Sequence, residues 1–269
     1  MSTVRTRREP PSFRPAVVVD VEQRSERLLR LTVAGPELRT LDIGLPAASV
    51  RLLVPDPSER VSRPGADPSP VAIPTWNGNE FLRADGTRPP IRTLTPIELD
   101  AERGALALEV VLHGDGPLAT WAAGEPLGDP TAISGTGRGY AIDPDAGAFV
   151  LAGDESAIPA ISVLLAALAA ERPDATVTVV VEATEPVATV ELPSHPRATT
   201  RWIGRPASQR PGDAMGAALT ALDLDPDVRV WAASPAAGVH RIRQHLFEQR
   251  SIPRAHAVVR GYWKIGGGG

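Results

Sequence analysis

The chain has 269 residues, 42% of them hydrophobic and 22% charged, which places it among folded globular proteins with room for about two domains. The absence of cysteine excludes a disulfide framework, a thiol nucleophile and any cysteine-ligated zinc or iron–sulfur centre. A formal charge of −4 argues against a globally basic nucleic-acid binder, and the 28 prolines and 24 glycines are too dispersed for a fibre, so short strands and helices joined by many turns are expected.

The N-terminal MSTVRTRREPPSFRP has no apolar stretch of the secretory type. The longest apolar run, Ile158 to Ala170, is interrupted by Pro159 and Ser162 and is too short to cross a bilayer. A cytoplasmic protein with no membrane insertion and no nucleic-acid partner is the expectation.

Residues 15 to 140 read mostly as strands. In Leu29, Leu31 and Val33, and again in Leu106, Leu108, Val110 and Leu112, apolar residues alternate at the period of a strand with one buried face. Val17 to Val21, Ser49 to Val54, Arg92 to Leu99 and Thr131 to Ser134 are further strands, and the proline-rich DPSERVSRPGADPSP between them forbids a central strand. An antiparallel barrel or sandwich follows. Pro117 to Ala123 opens on Gly-Pro, where proline's fixed φ and missing N–H suit a first helical turn.

From Ala148 the pattern changes to alternating strands and helices. AFVLAG, ATVTVVVEA, TTRWIG, VRVWAA and HAVVRGYW read as strands, while Glu155 to Ala170, Ala214 to Leu222 and Ala236 to Arg250 read as helices. In the last of these, Val239, Ile242 and Leu246 give one apolar face. Such alternation predicts a parallel sheet covered on both sides. The expected domains are therefore residues 1–144 and 145–265, followed by GGGG at 266–269 as a disordered tail.

Five blocks stand out: PIRTLTPIELD at 90–100, LEVVLHGDGPLATWA at 108–122, LAGDESAIPAI at 151–161, VRVWAASPAAGVHRIRQHL at 228–246 and GYWKIG at 261–266. In order and spacing they resemble the siderophore-interacting protein family of FAD-dependent ferric-siderophore reductases. The resemblance implies a Greek-key FAD-binding barrel at 1–144 and an α/β domain of NAD(P)H-binding type at 145–265. It implies a flavoprotein oxidoreductase, in which the flavin does the chemistry and no side chain acts as a catalytic acid or base.

The first block matches the family's Arg-x-Tyr-Thr at Arg92 and Thr95, with Leu94 in place of the tyrosine. Arginine offers charge-assisted bonds to flavin phosphates, while leucine gives apolar contact without an aromatic face. Pro96 and Ile97 stand where a second arginine is common in the family. The second block contributes His113, Gly114, Gly116, Pro117, Leu118 and Trp121, a strand end, glycine turn and helix start able to present N–H groups to a pyrophosphate. Trp121 also suits a barrel core.

The third block places Asp154, Glu155 and Ser156 at a strand-to-helix turn, near the flavin and the reductant entrance by the same resemblance. Their acids equally complement a helix N-terminus, and they give no support to an NADPH diphosphate pocket. The chain has no GxGxxG in a strand–helix context, so NADPH, NADH and a ferredoxin-like protein donor all remain open as electron sources. At the C-terminus Arg260, Trp263 and Lys264, the only lysine, supply the planar and cationic groups that suit a bulky, anionic ferric siderophore.

Other chemistries are poorly supported. His240 and His245, two of the five histidines, are five residues apart, which does not bring them onto one helix face. Ser156 and Ser234 lack the flanking glycines of a hydrolase elbow. The expected function is FAD-dependent reduction of a ferric siderophore by a monomer. The alternatives are an NAD(P)H:flavin reductase and a flavin-free protein that binds a siderophore or another ligand.

Overall fold

The computed structural model describes residues 10–56, 59, 71–113, 116–187 and 189–264. Much of the proline-rich segment, Gly114 and the glycine tail lie outside the described residues. The chain divides into two units of similar size, one of residues 1–24 and 28–139, the other of 25–27 and 140–269.

The first unit contains β1 (Phe13–Ser25), β2 (Leu28–Ala34), β3 (Val50–Leu53), β4 (Thr75–Trp76), β5 (Phe81–Leu82), β6 (Ile91–Leu94), β7 (Pro96–Asp100), β8 (Ala105–Val111), α1 (Pro117–Ala123) and β9 (Pro130–Ser134). Seven of these strands form one sheet in the order β6-β3-β9-β1-β2-β8-β7. Its edge strands β6 and β7 are separated by Thr95 alone, so the sheet must curl strongly back on itself, into a partly open barrel.

The single strand expected over Arg92 to Leu99 is thus two strands, β6 pairing with β3 and β7 with β8. The reason is Pro96, which has no N–H to donate and sits at a register irregularity in the β7–β8 ladder. Leu31, Val33, Leu52, Leu106, Leu108 and Ile133 fill the barrel interior, as the period-two alternation requires.

The second unit contains β10 (Ala148–Asp154), α2 (Ile158–Glu171), β11 (Thr176–Thr184), β12 (Ala198–Arg205), α3 (Asp213–Thr220), β13 (Arg229–Ser234), α4 (Ala236–Gln244) and β14 (Ala257–Gly261). Its five strands are parallel, in the order β12-β11-β10-β13-β14. The order reverses between β10 and β13, which makes their carboxyl ends the topological switch point of the sheet.

One sheet face packs on α3 and α4 through Met215, Leu219, Val239, Ile242 and Leu246. Two helix boundaries differ from the sequence reading. Glu155–Ala157 forms a single 3-10 turn before α2, because Asp154 accepts the Ser156 N–H and tightens the entry. After Gln244 the last helix widens into a π turn over His245–Gln249.

Candidate functional site

In the barrel unit, the residues singled out from the sequence gather where β6 ends, β8 ends and α1 begins. Leu94 of β6, Leu112 just beyond β8 and Leu118 of α1 all pack against the same barrel core. Thr95 is buried in the crossing between the two edges. Arg92 is half-buried, and burial lowers the pKa of its guanidinium. Its described hydrogen bond goes to the Ile91 carbonyl at 3.0 Å, and no carboxylate within 4.0 Å pairs with it among the described residues, unlike Arg30 on Glu109 at 2.9 Å.

His113, Gly116 and Pro117 are exposed. Gly116 precedes α1 in extended conformation, and a Cβ placed there would meet nothing within 4 Å, so the space beside Gly116 is open. Trp121 turns the other way: it is 4% exposed in the barrel core, and its indole N–H donates to Asp129 Oδ2 at 2.9 Å. The ring therefore packs inside the barrel and has its polar atom satisfied.

In the α/β unit, the structure brings Asp154, Glu155, Ser156 and Trp263 together at the carboxyl end of β10. Asp154 is 6% exposed. Its Oδ1 accepts the Ser156 N–H at 3.0 Å and the Ser156 hydroxyl, and its Oδ2 accepts the Trp263 indole N–H at 2.8 Å. Burial pushes this carboxyl up to about 6; the hydrogen bonds from Ser156 and Trp263 oppose that rise, and the nearby charge of Glu182 adds to it.

Gly153 permits this turn, since a Cβ there would lie 2.3 Å from the Ala157 Cβ and 3.1 Å from the Ala233 carbonyl oxygen. Glu155 does not present a free carboxylate: Arg27 holds it with a two-pronged bridge at 2.7 and 3.1 Å, and the Thr184 hydroxyl donates to it at 3.0 Å.

The C-terminal strand delivers Trp263 to this place. Tyr262 N–H donates to the Ser234 carbonyl at 3.0 Å, and Ala236 N–H donates to the Trp263 carbonyl at 2.8 Å. Tyr262 meets Trp231 edge-on with ring centroids 6.1 Å apart. Arg260 is half-buried on β14 opposite Ala233, and Lys264 is exposed.

Four residues of this edge escaped the sequence reading: Arg27, Thr184, Glu182 and Arg205. Glu182 is 1% exposed; its two oxygens accept the Gly212 N–H at 2.7 Å and the Met215 N–H at 2.9 Å, and Arg205 Nε lies 3.2 Å away. Arg205 also donates to the Thr184 hydroxyl at 2.9 Å. The signal was present in ATVTVVVEAT, where a carboxylate follows directly on the apolar run Val179 to Val181, because a buried carboxylate must be paired.

An antiparallel barrel sheet followed by a parallel sheet of order 3-2-1-4-5 is the fold of the two-domain, ferredoxin reductase-like FAD/NAD-binding proteins. Within that class the chain belongs to the siderophore-interacting protein family. The profile of the siderophore-interacting FAD-binding domain matches residues 17–139, and that of the siderophore-interacting protein matches 146–266.

An uncharacterized protein of Mycobacterium tuberculosis is 36% identical over 191 residues, a stretch that spans 66% of this chain and 66% of that protein. The ferric vibriobactin reductase ViuB of Vibrio cholerae is 27% identical over 146 residues, 52% of this chain and 49% of ViuB. The crystal structure of a siderophore utilization protein from T. fusca superposes with a TM-score of 0.78 at 28% identity, covering 97% of this chain and 96% of that one.

Proposed function

We propose that this protein is a flavoprotein oxidoreductase that binds FAD in its barrel unit and reduces a ferric siderophore, releasing the iron as ferrous ion. The observation that carries the reading is Arg92, a half-buried guanidinium without a carboxylate partner among the described residues, on a barrel strand of a domain whose family binds FAD. A buried cation without a counter-charge is costly, and a flavin phosphate supplies that counter-charge.

The residues of the barrel unit fit FAD. Arg92 would bind phosphate, Thr95 and Leu94 would border the flavin, and His113, Gly116 and Leu118 would offer backbone N–H groups to the remaining phosphate oxygens, with Pro117, which has no N–H, setting the start of the helix between them. Trp121, locked to Asp129, would support that turn from inside the barrel.

Bound FAD supplies one-electron transfer to ferric iron, which hard oxygen chelators hold more tightly than ferrous iron. The chain's own task is to hold the two reactants and exclude other acceptors. Half-buried Trp263 and Arg260 and exposed Lys264 would contact a bulky anionic iron complex. We take the protein to act as a cytoplasmic monomer, with the barrel unit, which ends at Gly139 and not at the residue 144 expected from the sequence, as the FAD-binding domain.

The test is spectroscopic. Purified protein loaded with FAD and freed of unbound flavin by gel filtration should keep the visible flavin bands. After anaerobic reduction with dithionite it should then convert a ferric hydroxamate to ferrous iron captured by ferrozine. Arg92→Ala should weaken FAD binding about tenfold or more, the scale of one charge-assisted phosphate contact. Protein that stays colourless after loading would sink the reading in favour of a flavin-free binding protein.

A further inference from the structure

The three helices that begin at the carboxyl edge of the parallel sheet each start with N–H groups facing the place where an α/β unit of this topology ordinarily receives a dinucleotide diphosphate. In this chain one or two of those groups at each start are already engaged by the chain itself. At the turn into α2, Ser156 N–H is taken by the Asp154 carboxylate. At α3, Gly212 N–H and Met215 N–H are taken by the two oxygens of Glu182. At α4, Pro235 has no N–H to offer, and Ala236 N–H is taken by the Trp263 carbonyl.

Two of the three acceptors are buried carboxylates, and they lie on neighbouring strands in register, Asp154 beside Glu182. Two of the guanidinium groups nearby are committed as well. Arg205 is on Glu182 and Arg27 is on Glu155. A cleft of about 270 Å3 beside the starts of α3 and α4 is lined by Arg241, and Asp213 holds that side chain in an ion pair.

We propose that this edge is closed to the diphosphate of a pyridine dinucleotide, so that FAD in this protein does not take its electrons from NADPH or NADH bound there. The residues present do not fit NADPH or NADH. Binding either one requires the diphosphate to displace an internal acceptor from a helix start and to approach two buried carboxylates, whose charge repels it. The inference rests on the proposed function only for the flavin that receives the electrons.

Isothermal titration of the full chain, FAD-loaded, with NADPH and with NADH tests it, with inorganic pyrophosphate as a second probe. No saturable binding is expected for any of the three below about 1 mM, the range of a negligible contact. Saturable binding of either dinucleotide below that concentration overturns the proposal. Glu182→Gln and, separately, Asp154→Asn remove one charge each. In whichever variant folds by circular dichroism, NADPH binding should tighten by about tenfold or more, into the measurable range.

Folded variants that bind no better than the parent chain would assign the closure to something other than these carboxylates and overturn the proposal. The two readings fail separately. A protein that takes no FAD refutes the proposed function, and the same titration is then run on the flavin-free full chain, where binding of either dinucleotide still overturns the closure. A yellow protein that binds NADPH refutes this inference alone.

Discussion

Leu94 occupies the position where the family resemblance expects a tyrosine that packs on the flavin ring. Its side chain instead joins the barrel core alongside Leu112 and Leu118. An aliphatic group there gives apolar contact without the stacking that adds about 0.5–1.5 kcal/mol beyond area burial. Leu94→Tyr is therefore expected to tighten FAD binding by about 3- to 10-fold, read by equilibrium dialysis. Unchanged affinity would mean that the strand carrying Arg92 is not the flavin strand. This departure was legible in the sequence because the matching neighbours Arg92 and Thr95 fix the register of the motif. The role of Trp121 was not, since a tryptophan within a short helix serves a core or a ligand equally well until its N–H partner, Asp129, is seen.

Asp154 makes a second prediction at the same scale. Desolvation raises its carboxyl to about 6, above the value of an unfolded aspartate, so between those two values the native state binds more protons than the unfolded chain. Stability from this group is then full below the unfolded pKa and is lost as pH rises through about 6. The difference of about two pKa units corresponds to roughly 2–3 kcal/mol. Relative to Asp154→Asn, which cannot titrate, the parent chain should gain stability of that order as pH falls from 7.5 to 4.5 in urea titrations. A constant difference across this range would show that the carboxyl titrates normally.

At the scale of elements, the turn from β10 into α2 depends on a close approach. A methyl group on Gly153 would sit 2.3 Å from the Ala157 Cβ and 3.1 Å from the Ala233 carbonyl oxygen, so either the turn moves away from β13 or the strand shifts. Gly153→Ala is expected to cost about 2–3 kcal/mol, as overpacking of a rigid core does. Adding Ala157→Gly should recover about half of this, because it removes the closer of the two clashes. Thermal unfolding of the single and double variants checks both values, and a Gly153→Ala chain as stable as the parent would show that the turn yields freely.

The strand–helix alternation of this unit was readable because its central strands are short, largely apolar runs bounded by turns, such as AFVLAG and TVTVVVEA. Harder to read were places where an element is interrupted by one residue's hydrogen bonding, as at Pro96 between β6 and β7 or Asp154 before α2. Periodicity reports which face is buried and says nothing about where a ladder loses a donor. The proline-rich run at 56–70, read as a non-strand, lies largely outside the described residues.

For the whole molecule, the position at which the chain passes from one unit to the other sets a test of its organisation. Composition puts the change of texture near residue 145, yet the preceding segment is bound to the second unit. Tyr140 is 7% exposed. Arg229 Nε donates to Asp143 at 2.7 Å, and Arg172 donates to the carbonyls of Asp143 and Pro144. Texture marks where regular strands and helices begin. It does not mark where burial begins, so a short irregular segment is assigned by its contacts and not by its composition.

A fragment starting at residue 140 should accordingly be more stable than one starting at 145. The longer fragment retains the buried tyrosine and the Asp143 bridge, whose loss leaves Arg172 and Arg229 without these partners. The expected difference is about 2–4 kcal/mol, from burial of one aromatic side chain and the hydrogen bonds to two half-buried guanidinium groups. Urea unfolding of the two fragments, both ending at residue 264, measures it. Equal midpoints would show that 140–144 belongs energetically to neither unit and would favour the boundary that composition alone proposes.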